Sequence, residues 1–223
     1  GQATPIAVPE NRNPKPIITS SQGLFHRQFP SGRRLIAVDL VNRELTTEAP
    51  EGGQRQTVPF EYTSEGAHIM GVCAAPNGTI CGGTAFPMRY FGFNPQTDTW
   101  DNRPGLVQWN TTTVQGDRFF IGGYGGGVLL EWDPAKPWVD TVKGNPDCNP
   151  VYLTDSAPDI NRPFELYAHP DGKTIILAGG PGYGYTGGGM LFWDRETKQQ
   201  VLLKHTDLLE NHAINSMVAI PDG

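Results

Sequence analysis

Charge is scarce in this 223-residue chain: 18% of residues are charged, and 23 Asp and Glu outnumber 17 Lys and Arg for a net charge of -6. A surface poor in cations argues against nucleic acid or an anionic membrane as partner. No apolar run approaches the roughly 20 residues needed to cross a bilayer. No HExxH or CxxC spacing occurs, so no metal site is indicated by motif and no cofactor is expected. A signal peptide is also lacking, so Gly1 is expected to be a mature or trimmed start.

Cysteine is sparse, with Cys73, Cys81 and Cys148. Cys73 and Cys81 flank AAPNGTI and fall on the two arms of one hairpin. Two alternatives stay open for them: a cross-strand disulfide, or two small buried hydrophobes. Asn77-Gly-Thr79 and Asn110-Thr-Thr112 are glycosylation sequons, and with the cysteine pair they tilt the expected location to secreted or extracytoplasmic.

Glycine (28) and proline (20), by contrast, are abundant and recur between short β-rich runs. That is the composition of many strands joined by turns. The turn Pro76-Asn77-Gly78 returns as Gln115-Gly116-Asp117, Pro170-Asp171-Gly172 and Pro221-Asp222-Gly223. After the first three comes an arm ending in glycines (TICGG, RFFIGG, TIILAGG), then a third arm closing on an acidic or amide turn (RYFGFNPQT, GVLLEWDPAK, GMLFWDRET). The Asn or Asp after an aromatic in these turns (Asn94, Asp133, Asp194) is expected to cap the turn with its own side chain.

Units of four short antiparallel strands repeating every 40 to 50 residues or so predict an all-β chain, a β-propeller. The expected plan is an N-terminal segment 1–34, then blades at about 35–50, 66–105, 106–145 and 160–205, with the start of a further blade at 212–223. Inner strands are expected near 68–75, 109–114, 163–169 and 213–220. About four blades leave edges unpaired, so the chain is expected to be part of a larger ring, most plausibly seven-bladed, whose remainder is a partner in the fold.

In such a fold the entry of each inner strand and the loop between second and third strands share one face. This sorts His68, Asn110, Asn161, Arg162 and His212 together with Arg89, Tyr124, Tyr183 and Tyr185. The stretch GGPGYGYTGGGMLFWDRET, residues 179 to 197, is then a supple rim loop holding two phenols over an axial funnel. A phosphate cradle is excluded, because MLFWD continues as a strand and supplies no helix N-terminus. His169 is placed on the opposite face as a structural residue, and His26 and His205 as surface or packing residues.

Arginine, histidine and tyrosine without a paired-carboxylate pocket suit an acidic substrate. Glu65 and Glu165 are the only acidic candidates near strand mouths, and Glu165 lies deep in its strand, whereas glycoside hydrolysis would want two carboxyl groups. β-Elimination across a uronic acid uses these types: a cation on the carboxylate, a base at carbon 5 and an acid at the leaving oxygen. The expected catalytic set is His68, Tyr124, Tyr185 and Arg162; the expected substrate-binding set is Arg89, Asn110, Tyr183, His212 and Asn161. The expected partner is an acidic oligo- or polysaccharide.

The PNG/PDG hairpins, GGTAFPMRYFGFNP and PDINRPFELYAHPDGKTIILAGG resemble those of secreted seven-bladed polysaccharide lyases of the ulvan lyase and rhamnose–glucuronate lyase type. The resemblance spans about residues 35 to 223 and implies a histidine at an inner-strand mouth, where His68 stands, with arginine and tyrosine from neighbouring blades. Met88 and Arg89 stand where ulvan lyases carry a second histidine, a departure that favours a different uronate-containing glycan. A glycan- or protein-binding propeller, a lactonase and a quinone-dependent dehydrogenase are the competing classes, since a fold does not fix a function.

Overall fold

The computed structural model describes residues 29–39, 42–61 and 67–220. His26, Glu65 and the Pro221-Asp222-Gly223 turn lie outside them. The described chain is all-β, with four antiparallel sheets that resemble propeller blades. It divides into two units, residues 1–65 and 66–223.

The first unit holds β1 (Arg34–Asp39), β2 (Glu44–Glu48) and β3 (Arg55–Pro59), paired in that order. The β1–β2 turn is held by Asn42, whose backbone and side-chain amides donate to the Asp39 carboxylate at 2.9 and 2.7 Å. Glu48 sits between Arg34 (2.7 Å) and Arg55 (3.0 Å). Their hydrogen bonds, Arg55 foremost, hold its carboxyl below the usual range. The expected boundary at residue 50 falls short, because Thr46 and Glu48 find cross-strand partners in Thr57 and Arg55 on β3.

The second unit is three four-stranded meanders. β4 (His68–Ala74), β5 (Ile80–Ala85), β6 (Arg89–Asn94) and β7 (Thr99–Pro104) make one. β8 (Gln108–Gln115), β9 (Arg118–Tyr124), β10 (Val128–Trp132) and β11 (Val151–Thr154) make the next. β12 (Arg162–Ala168), β13 (Thr174–Gly180), β14 (Gly189–Asp194) and β15 (Gln200–Lys204) make the last. Successive sheets meet through their first strands, β4 on β8 and β8 on β12. One apolar core, with Cys81, Tyr90, Trp109, Phe119 and Ile121, fills the first interface. A second, with Phe120, Leu129, Ile160, Leu177 and Leu191, fills the other.

The paired glycines that end each second arm now have a physical cause. A Cβ on Gly83 would stand 2.3 Å from the Cβ of Trp109, and one on Gly122 2.8 Å from Leu177. The neighbouring sheet packs directly on the backbone there, so no side chain fits. The Asx turns form as expected: Asn94, Asp133 and Asp194 accept from Gln96, Ala135 and Glu196 backbone amides at 2.8–3.0 Å. Polar ties add to the apolar contact between the second and third meanders. Gln115 donates to the His169 and Thr174 carbonyls (3.0 and 3.2 Å), and Arg195 donates to Gln115 Oε1 at 3.0 Å.

Two further differences from expectation lie in the second unit. The second meander runs past residue 145 to Thr154, because residues 133–150 form a loop containing Pro134, Pro137, Pro146 and Pro150, none of which can donate to a ladder. Buried Asn149 organises that loop, donating to the Asp133, Lys136 and Pro137 carbonyls at 2.9–3.1 Å. The inner strand expected at 213–220 is not a strand. Met217–Ile220 instead line a cavity with Tyr167, Ile176 and Met190 of the last meander, and no ladder partner is paired with them among the described residues.

Candidate functional site

One end of the second unit carries the strand entries and the β5–β6, β9–β10 and β13–β14 loops, as pairs such as His68 with Ala85, Gln108 with Tyr124 and Arg162 with Gly180 require. Tyr124 closes β9 and is followed by Gly125–Gly127, all at positive φ. That turn docks on the next meander, its Gly125 and Gly127 amides donating to the Asn161 carbonyl at 3.3 and 3.2 Å. Asn161 in turn donates its amide to the Gly180 carbonyl (2.8 Å). Backbone bonds therefore fix Tyr124 beside Arg162, which opens β12.

The guanidinium carbon of Arg162 lies 4.5 Å from the centre of the Tyr124 ring. Tyr183 completes the group, its hydroxyl 2.8 Å from that of Tyr124. Tyr183 rides on the glycine-rich loop, whose Gly182 amide donates to the Pro158 carbonyl (2.8 Å) and whose Gly184 and Gly187 take φ of +81° and +83°. Only glycine adopts such values without strain, so the loop turns back and leaves the phenol over Tyr124. A shallow cavity of about 350 Å³ is lined by Tyr124, Asn161, Arg162, Phe164 and Tyr183.

The two phenols are made unequal by their contact. The hydrogen bond shared with Tyr183, and then that from Arg162, lower the pKa of Tyr124. The same contact raises that of Tyr183. Tyr124 therefore gives up its proton more readily than Tyr183, an arrangement able to serve as base and acid side by side.

The other expected residues are disposed differently. Tyr185 is 64% exposed and its amide donates to Gly182; it is not among the residues lining the cavity. His68 is exposed at the mouth of β4, in the meander separated from β12 by β8, and is likewise not part of the lining. Arg89 is spent on Asn102, donating to its side chain (2.9 Å) and carbonyl (3.0 Å). Asn110 donates to the Pro163 carbonyl at 3.0 Å and accepts from Gln108; it is a tie between β8 and β12, and its sequon lies inside an inner strand. His212 Nδ1 lies 2.7 Å from the Glu210 carbonyl. His169 and His205 hold turns, their Nδ1 atoms accepting from the Asp171 and Asn211 amides. Glu165 is mid-strand on β12, opposite Ala178.

Cys73 and Cys81 are directly opposed across β4 and β5 and are free thiols here, as is Cys148. Cys73 Sγ lies 3.0 Å from Thr112 Oγ1. The neighbouring thiol, and then Thr112, bring the Cys73 pKa down to about 7 against the opposing effect of burial, whereas the contact and burial raise that of Cys81. Among the described residues no group of three or more His, Cys, Asp or Glu is arranged to hold a metal, and no helix is long and apolar enough to cross a membrane.

Fold and site together define an all-β chain of propeller-like blades with a tyrosine–arginine group at the blade mouths. No protein-family model and no curated protein matches the chain. Solved structures similar to it include virginiamycin B lyase from Staphylococcus aureus, at 8% identity and a TM-score of 0.43, with 79% of this chain and 53% of that one covered. They also include the extracellular domain of a hybrid two-component system from B. thetaiotaomicron, at 12% identity and a TM-score of 0.27, with 84% of this chain and 30% of that one covered. The chain thus spans about half the length of the first and under a third of the second.

Proposed function

We propose that this chain carries the site of a polysaccharide lyase that cleaves a uronic-acid-containing glycan by β-elimination, in a secreted or extracytoplasmic setting. The observation that carries the reading is the Tyr124–Tyr183 contact at 2.8 Å with Arg162 over the Tyr124 ring. Arg162 binds the uronate carboxylate. As the proton at carbon 5 leaves, charge builds on that carboxylate, and the cation stabilises it more in the transition state than in the ground state.

Tyr124, biased toward phenolate, takes the carbon 5 proton and becomes a neutral phenol. The electron pair forms the carbon 4–carbon 5 double bond, and the carbon 4–oxygen bond breaks. Tyr183 gives its proton to the departing glycosidic oxygen, and the proton now on Tyr124 passes back along the phenol–phenol contact. The Tyr183 phenolate so formed is quenched, leaving Tyr124 again as the base. The base is thus assigned to Tyr124 rather than His68, because Tyr124 and Tyr183 are the phenols that Arg162 adjoins.

The test is the ultraviolet absorbance of the unsaturated product on a panel of uronate glycans. Tyr124→Phe is expected to lower turnover by about two to four orders of magnitude, the scale of a lost general acid or base. His68→Ala is expected to keep it. The reverse pattern returns the base to His68, and no product from any glycan with either protein rejects the lyase.

A further inference from the structure

A second cavity, of about 310 Å³, opens between the first and second meanders of the second unit. It runs along the strands, from Trp132, which ends β10 opposite Phe119, to Trp109, which pairs with Gly123, and shares no lining residue with the Tyr124 cavity. That volume is at the lower end of the roughly 300–1,000 Å³ typical of small-molecule sites.

Aromatic faces dominate its walls. Trp100 is 69% exposed yet held flat by stacking on Phe93, with ring centres 4.5 Å apart and planes at 29°. Trp138 and Trp132 stand edge to face at 6.0 Å, and Trp138 is fixed by an indole hydrogen bond to Asp140 (2.9 Å).

The charges nearby narrow the occupant. Arg103 lies 5.4 Å over the Trp138 ring and Lys136 also lines the cleft. Each is paired, with Asp101 and Asp133 respectively, so neither a cation nor an anion meets an uncompensated charge. What fits is a neutral molecule with one apolar face for stacking and hydroxyls at its edge for polar lining residues such as Asn94, Thr99 and Asp101.

We propose that this cleft is a binding site for a neutral pyranose ring, stacked on Trp100 and packed beside Trp138. The site is separate from the elimination chemistry, since the two cavities share no lining residue.

The test uses the whole chain, produced in a host that adds no N-glycan, because Asn77 borders the cleft. Methyl glucopyranoside, methyl galactopyranoside and methyl rhamnopyranoside are titrated while tryptophan fluorescence and saturation-transfer NMR are followed, with tetramethylammonium as the cationic comparison. At least one pyranoside is expected to saturate. Trp138→Leu, which removes one aromatic wall of the cleft, should weaken binding about two- to tenfold, the scale of one aromatic contact. Trp100→Ala, at an exposed position, should weaken it at least as much and keeps the test decisive if Trp138→Leu loses the fold. Tyr124→Phe should leave it unchanged. Saturation by no pyranoside, by tetramethylammonium instead, or equally by parent and both tryptophan variants overturns the proposal.

Discussion

Tyr124 and Tyr183 begin as identical phenols, and their environment separates them into acceptor and donor. Tyr183 is the leading cause of the lowered Tyr124 pKa, so in Tyr183→Phe the base titrates closer to the ordinary tyrosine value of about 10. On the proposed mechanism turnover falls as pH drops through the pKa of Tyr124, where that base would be protonated. The alkaline rise of activity is therefore expected to move to higher pH in Tyr183→Phe, and a pH–rate profile checks it. Arg162→Gln should move it the same way by less, and should also raise KM. His169→Ala, at the opposite end, should leave the profile untouched. Residue type and face were legible in the sequence for Tyr124, Arg162 and Tyr183. Which phenol of the rim loop meets Tyr124 was not, because it depends on the left-handed φ of Gly184. The inward turn of Arg89 onto Asn102 was equally hidden, since it depends on side-chain hydrogen bonds across β6 and β7.

The elements show the same division. Strand order was readable because the turn signals repeat, and the Asx turns were readable because Asn and Asp carry their own acceptor. The fourth strand of the second meander was not, since four prolines delay it and only Asn149 reveals how the loop is held. Asn149→Ala leaves three carbonyls without that donor, and should cost about 1–3 kcal/mol, the scale of unsatisfied buried groups, measured by urea unfolding. Gly83→Ala should cost a similar amount, roughly 1–3 kcal/mol for overpacking, because its methyl group meets Trp109. Asn110 teaches a related lesson: a sequon is three letters, but its amide is committed to the Pro163 carbonyl. In a glycosylating host, peptide mass spectrometry is expected to find Asn110 unmodified, and any glycan on exposed Asn77.

For the whole molecule, each interface between meanders excludes water from aromatic and aliphatic side chains on both sheets, and that burial is the main favourable term. The last meander exposes Phe164 (40%) and Val201 (58%). We propose that further blades cover such surfaces in a seven-bladed ring. The 223-residue chain expressed by itself should then bind a hydrophobic dye and self-associate in size-exclusion chromatography, and a monodisperse, dye-free monomer would contradict the ring.

Elimination on a uronate glycan is the activity we propose for the Tyr124–Tyr183–Arg162 group. Its most direct test is the rate at which the unsaturated product forms with the parent protein and with Tyr124→Phe, both shown folded by circular dichroism. Product from the parent, and a rate lower by about two to four orders of magnitude in the variant, is the predicted result. Equal rates in the two proteins, or no unsaturated product from the parent on any uronate glycan, would contradict it.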